Sequence, residues 1–210
     1  MMNLNQKGIR NLARVDRIKI INSVSGIKPA NLIGTISEEG IANVAIFSSV
    51  VHLGSDPALL GFILRPTGEV PRNTFDNILA NHSYTINHIH PDFIKNAHYT
   101  SAKFDKDISE FEKCNLEEEY ITTIKAPFVK QSCFKMGMEF REALPIKLND
   151  TILVVGEIVH LIMPDALVNG DDDINLEHTN AVGISGLNSY YSVSKIGEFP
   201  YARIHEVPNF

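Results

Sequence analysis

Tryptophan is absent from the 210 residues, and cysteine occurs only twice, as Cys114 and Cys133. The first absence excludes any ligand stacked on an indole. The second excludes a disulfide framework, and the two thiols have neither CxxC nor zinc-ligand spacing. So few cysteines suit a reducing, cytoplasmic setting. Basic residues are also scarce: 19 Lys and Arg stand against 25 Asp and Glu, a net charge of −6. Nucleic-acid binding normally calls for a basic face, so no nucleic-acid partner is expected. No apolar run approaches the roughly 18 residues of a membrane helix, so no membrane partner is expected either. Met1 to Ile20 mixes Asn, Gln, Arg and Lys with apolar residues and has no continuous hydrophobic stretch, unlike a signal peptide. Also missing are a GxGxxG turn, a GxxxxGK[ST] loop and any Ser-His-Asp or Cys-His arrangement. A nucleotide, if bound, must be held by another device.

What is present is ordinary for a globular chain: 44% hydrophobic and 21% charged residues. The length fits a single domain over residues 1–210 with one excursion at about 99–128. Val24 to Ile36 reads as a strand entered through Pro29, Ser37 to Gly40 as a hairpin turn, and Ile41 to Ser49 as its alternating partner. Ala58 to Leu64 is a short apolar run, suited to a buried strand. Thr74 to Ala80 reads as a short helix with Asn73 or Thr74 as N-cap. His82 to Ile89 alternates, with Tyr84, Ile86 and His88 on one face and Thr85, Asn87 and Ile89 on the other. Pro91-Asp92 starts a helix through about His98. Residues 99–128 are acidic, with a helical turn near Ser109 to Lys113, and Ala126-Pro127 ends them. Phe134 to Glu142 and Thr151 to Pro164 are strands around a turn at Asn149-Asp150. Asp165 to Glu177 is a loop, and Gly183, Gly186 and Gly197 signal turns. Short strands with few helices predict a mainly β, antiparallel barrel decorated at its ends.

Residues 43–78 carry the chemistry. An apolar strand ends in Ser48 and Ser49. The strand Ala58 to Leu64 ends in Arg65, a turn rich in Pro and Gly follows (66–71), and Arg72-Asn73-Thr74 opens a helix. Two guanidinium groups, several hydroxyls and a helix N-terminus are expected to face one small volume. Free N–H groups, the helix dipole and a guanidinium fork all favour a phosphate dianion. On composition alone, Arg65 and Arg72 read more readily as surface arginines flanking a turn.

The same stretch resembles the flavin reductase-like, FMN-binding split-barrel proteins, the flavoredoxin group. Asn43-x-Ala45-x-Phe47-Ser48, the Asp56-Pro57 turn and Arg72-Asn73-Thr74-x-x-Asn77-Ile78 stand in that family's order. So do Tyr84-Thr85-Ile86-Asn87, Ala97 to Ala102 with Phe104, Asp107-x-x-Glu110-Phe111-Glu112, Lys125-Ala126-Pro127, Val155 to Val159, Tyr190-Tyr191 and Tyr201-Ala202-Arg203. The resemblance spans about residues 25–205. It implies an antiparallel Greek-key split barrel that pairs into a homodimer, with FMN in the groove between subunits. It implies that the strand through Asn43, Ala45 and Phe47 lies under the isoalloxazine ring, which is read by main-chain groups. Phosphate contacts fall to Ser48, Ser49, Arg65, Arg72, Asn73 and Thr74, and Asn87 reaches the ribityl chain or ring edge. Tyr99, Thr100 and Ser101 stand near the cofactor mouth.

Each of these positions also has a plainer reading. Asn43, Ala45 and Phe47 suit barrel core, Thr74 an N-cap, and Asn87 a strand-end amide satisfying backbone. Tyr190 and Tyr191 serve flavin stacking or subunit packing. His88 and His90 form an H-x-H pair, but no Cys or carboxylate motif completes it, so no metal site is assigned. His52 and His98 are isolated; they read as structural or solvent-facing histidines, the alternative being an approach to the flavin or nicotinamide. The acidic run 105–119 reads as a solvated face, and it would raise the pKa of Cys114 rather than activate the thiol. The resemblance implies an NAD(P)H-dependent flavin reductase. The alternatives are an electron carrier reduced by a partner protein, and a split-barrel haem or ligand binder without flavin.

Overall fold

The computed structural model describes residues 1–66, 72–167 and 176–209. The turn expected across 66–71, apart from Pro66, and much of the loop 165–177 fall outside the described residues. In chain order the elements are α1 (Gln6–Asn11), α2 (Arg14–Ser23), β1 (Lys28–Pro29), β2 (Asn31–Ile36), β3 (Ala42–Phe47), β4 (Val51–Ser55), β5 (Ala58–Leu64), α3 (Asn73–Asn81), β6 (Ser83–His88), α4 (Ile94–Tyr99), α5 (Glu110–Lys113), β7 (Glu118–Ile121), β8 (Ile124–Val129), β9 (Lys135–Ile146), β10 (Thr151–Ile162), β11 (Val182–Ser185) and β12 (Ser189–Ser192). Short 3-10 turns add Pro91–Phe93, Asp165–Leu167, Leu176–Thr179 and Ile204–Glu206.

Seven strands make the barrel sheet, in the order β3-β2-β6-β9-β10-β5-β4, and its ladders are antiparallel. The β9–β10 hairpin turns where expected. Asp150 adopts φ 56°, a left-handed conformation Asp tolerates, and Asn149 Oδ1 accepts from Thr151 Oγ1 at 2.8 Å. The alternation of β6 is also as expected. Tyr84 and Ile86 enter the barrel interior, while Thr85 and Asn87 face β8.

The interior is filled by Ile33, Phe62, Tyr84, Ile86, Met138 and Val154, and Phe75 and Ile78 of α3 plug one end. Phe62 meets Phe47 and Tyr84 edge-on, with ring centroids 5.0 Å and 5.9 Å away. Each fully buried side chain of this size stabilises the fold by about 1.5–3 kcal/mol. A second cluster covers the outer face of β2 and β3, where Leu32, Val44 and Ile89 meet Phe93, Ala97, Phe111 and Val182. Gly34 lets β8 cross this sheet closely. A Cβ there would stand 2.4 Å from Pro127 O and 2.6 Å from Thr85 Oγ1.

Several expectations need correction. Residues 24–27 are not strand: Val24 is the C-cap of α2, and the long strand begins at Asn31. The edge strand β4 was not foreseen, because Val51–Ser55 is exposed throughout most of its length and lacks alternation. The excursion 99–128 contains the hairpin β7–β8, and Ala126-Pro127 lies inside β8 rather than ending the segment. Proline is tolerated because β8 pairs with β7 alone, an edge position. The acidic run is not uniformly solvated, since Glu110 is buried. Gly183 is a strand residue of β11, whereas Gly186 makes the turn at φ 62°. Among the described residues no helix is long and apolar enough to cross a membrane.

Candidate functional site

Three hydrogen-bonded joints gather the 43–78 segments. The first extends the β4–β5 pairing ahead of β4, where Ser49 Oγ accepts from Ile63 N at 3.0 Å and donates to Ile63 O at 3.2 Å. The second ties the start of α3 to the segment after β5. Arg72 Nη2 donates to Pro66 O at 3.1 Å, beside Arg65. The third ties α3 to β3, where Thr74 Oγ1 donates to Asn43 Oδ1 at 3.1 Å. The end of β3, the end of β5 and the start of α3 therefore share one neighbourhood.

The N-terminus of α3 is open to an anion. Its N-cap is Arg72, not Asn73 or Thr74, and no side chain caps it. The first bonds run from Phe75 N and Asp76 N to Arg72 O, so the N–H groups of Asn73 and Thr74 precede any intrahelical acceptor. Arg72 Nε is buried and has no partner among the described residues. An orphaned buried donor on a cation costs free energy unless a ligand answers it. Arg65 is exposed beside it, and Asn73 is half-buried. This donor set fits a phosphate: two guanidinium groups, helix N–H groups and a positive dipole end. Asp76 in the first turn is the one acid of that helix end.

The other expected residues divide. Ala45 and Phe47 are half-buried on β3, and Ser48 follows at the strand's end. Asn43 is buried at the centre of a polar network. Its Oδ1 accepts from Thr35 and Thr74, its Nδ2 donates to Glu110 Oε2 at 2.7 Å, and Asn77 Nδ2 donates to Thr35 Oγ1. Asn87 is fully buried, and its amide bonds Leu32 O, Thr85 Oγ1 and Val129 N. Both asparagines hold elements together through these bonds. Tyr99 is exposed at the end of α4, and Thr100 and Ser101 cap it by donating to Ala97 O and His98 O. That helix packs on the outer cluster through Ile94 and Ala97.

The histidines go to separate neighbours. His88 stacks on Phe134 at 4.6 Å with its Nδ1 buried and without a partner among the described residues, and burial pulls its pKa down to about 4. His90 Nδ1 lies 3.1 Å from Asp92. His98 Nδ1 meets Tyr190 Oη at 3.0 Å, and burial raises that phenol's pKa. His52 is exposed on β4. Among the described residues no group of three metal-ligating side chains occurs. Cys114 has its pKa raised by burial and by Glu110, an inert thiol. The residue sequence reasoning missed is Glu110. Burial raises its pKa, although Asn43 and the Val44 N–H donate to it. The phenylalanine following it, in an otherwise charged run, was the available signal that this turn enters the core.

Comparison with known proteins agrees with this fold. Residues 27–177 match the flavin reductase like domain family model. The chain is similar to a crystal structure of a split-barrel-domain protein from Shewanella frigidimarina NCIMB 400, assigned as a flavin reductase. The two are 44% identical, with a TM-score of 0.91 over 96% of this chain and 100% of that one. The flavoredoxin of Desulfovibrio vulgaris (Miyazaki F) shares the fold at 16% identity, with a TM-score of 0.73 over 96% and 98%. An uncharacterized protein of Aquifex aeolicus (strain VF5) is 24% identical over 172 residues, covering 81% of this chain and 86% of that one. The fold is thus a split barrel of a flavin-associated redox group, and this chain belongs to the flavin reductase-like domain family.

Proposed function

We propose that this chain binds FMN and passes electrons from NAD(P)H to it, as an NAD(P)H:flavin oxidoreductase. The observation that carries the reading is the buried, unpartnered Nε of Arg72 at the uncapped start of α3. In this reading Arg72, Arg65 and the N–H groups of Asn73 and Thr74 hold the phosphate, with Ser48 beside them. Ala45 and Phe47 line the path of the ring. Ser49 acts indirectly, by fixing the joint that brings β3 to Arg65. Bound flavin supplies the hydride and one-electron chemistry. The chain's own tasks are to bind, to orient and to exclude water, so no acid–base pair is required of it.

The name of one similar fold, the FMN-binding protein from Thermus thermophilus, agrees with FMN as the cofactor. A homodimer is part of the proposal. Edge strand β4 exposes Val51 and Leu53, and β10 exposes Val159 and Leu161 beyond its pairing with β5. An open edge and an apolar strip of this kind ask for a cover. The scarcity of cysteine supports a cytoplasmic setting.

A visible spectrum of the purified protein, followed by steady-state NADH and NADPH oxidation, tests the reading. Flavin absorption near about 450 nm with turnover of either nicotinamide supports it. Flavin without turnover makes the protein an electron carrier served by a protein partner. A Soret band near about 400 nm would replace flavin with haem.

A further inference from the structure

The chain after β12 is an arm. Residues 193–209 join no sheet, and every one of them is exposed. Ile196, Phe199, Tyr201 and Ile204 are between 86% and 100% exposed, and Val193 and Val207 are also open. A solvated tail is normally polar, so this density of bare apolar side chains marks a contact surface.

The arm has had every opportunity to fold back on its own domain. It is tethered there, and its root is fixed by Lys195 N donating to Glu177 Oε1 at 2.7 Å. Further along, Lys195 pairs with Glu198 and Arg203 with Glu206. Its formal charge is balanced, two Lys or Arg against two Glu. A balanced arm has no electrostatic reason to seek an anionic membrane or a nucleic acid. Its reach is long: 17 residues extend at most about 56 Å, against a width of about 43 Å for a 210-residue domain. The body offers apolar counter-surface on the exposed edge of β4 and on the outer part of β10, through Val51, Leu53, Val159 and Leu161. The arm leaves that surface bare in its own chain, and a second copy presents the same surface to it.

We infer that residues 193–209 form an exchange arm that lies on a second copy of this chain, with Phe199 and Ile204 as its anchors on the apolar strip of β4 and β10. This rests on the homodimer proposed above. Reciprocal arms cover both strips at once, which a closed two-fold pair requires.

The test uses full-length protein with a photoreactive benzoyl-phenylalanine at position 199, co-expressed with an unmodified copy carrying a different affinity tag. Light scattering is run on the same samples. The inference expects a cross-linked species of twice the chain mass that carries both tags, its linked peptide containing residues 51–55 or 159–161. It also expects Phe199→Asp with Ile204→Asp to raise the dimer Kd at least about tenfold while the far-ultraviolet spectrum stays unchanged. A dimer by light scattering whose cross-links stay within one chain, or map elsewhere on the second copy, overturns the arm and leaves the dimer standing. A monomer at micromolar concentration overturns both.

Discussion

Ser49 Oγ lies 3.0 Å from Ile63 N and 3.2 Å from Ile63 O, so one hydroxyl pairs both backbone groups of a residue fourteen positions away. Val51 faces Gly61 in the β4–β5 ladder, so Ser49 continues that register with its side chain in place of backbone, two residues before β4 begins. It also sets the distance between the end of β3 and Arg65.

Removing that hydroxyl leaves a donor and an acceptor of β5 unanswered. Ser49→Ala is expected to destabilise the fold by about 1–3 kcal/mol, while Ser48→Ala stays within about 0.5 kcal/mol. Urea unfolding of the two variants checks this. Equal effects would remove Ser49 from the joint.

Tyr84 Oη is buried without a partner among the described residues, and Gly156 faces it. A Cβ at position 156 would stand 2.1 Å from Oη and 2.9 Å from Cζ. Gly156→Ala is therefore expected to destabilise by about 1–3 kcal/mol. Tyr84→Phe loses no hydrogen bond and is expected to be neutral or slightly stabilising. The double variant recovers part of the loss, because the Cζ contact remains. Thermal unfolding of the three variants decides it, and a strongly destabilised Tyr84→Phe would mean that the hydroxyl has a partner after all.

His88 and Glu110 give opposite pH dependences. The folded protein holds His88 at about 4 against an ordinary 6.5, so the unfolded chain binds the proton more tightly. This contribution is complete above pH 6.5 and is lost as pH falls toward 4, about 3 kcal/mol at most. Glu110 is raised by burial, so its contribution is present below its unfolded pKa and is lost as pH rises through the folded one. His88→Phe keeps the stack on Phe134 and is expected to flatten the acid limb of stability. Glu110→Gln keeps both accepted hydrogen bonds and is expected to gain on the wild type as pH rises from 4 to 7. Unfolding free energies at pH 4.5, 5.5 and 7 separate the two. Parallel curves for wild type and His88→Phe would show that this imidazole is solvated.

The barrel was legible where periodicity is strong. β6 alternates because it is buried on both faces by different layers, and the β9–β10 turn announces itself through Asn149-Asp150. What escaped notice depends on tertiary context. Val51–Ser55 becomes a strand only because β5 pairs with it, and its own residues give no pattern. β8 hides behind Pro127, whose carbonyl is answered by Thr85 from another sheet. The helices α1 and α2 bury no residue in one chain, so no apolar stripe marked them. At the site, Arg72 and Thr74 were visible as residue types, but the cap was misplaced by one or two positions. Asn43 and Asn87 suited a ligand as well as a fold, and only their hydrogen bonds tell the two apart.

The central claim is a phosphate pocket built on Arg72, and the most direct measurement compares FMN with riboflavin in the wild type and in Arg72→Ala. A charge-assisted hydrogen bond is worth about 1.5–3 kcal/mol. Fluorescence-quenching titration is therefore expected to show Arg72→Ala weakening FMN by about one to two orders of magnitude. The milder Arg65→Lys, which keeps the charge and loses only the fork, is expected to weaken it less. Riboflavin, which lacks the phosphate, is expected to bind wild type more weakly than FMN does and to be indifferent to either substitution. Equal affinity of the wild type for FMN and riboflavin, or equal weakening of both by Arg72→Ala, would contradict the pocket.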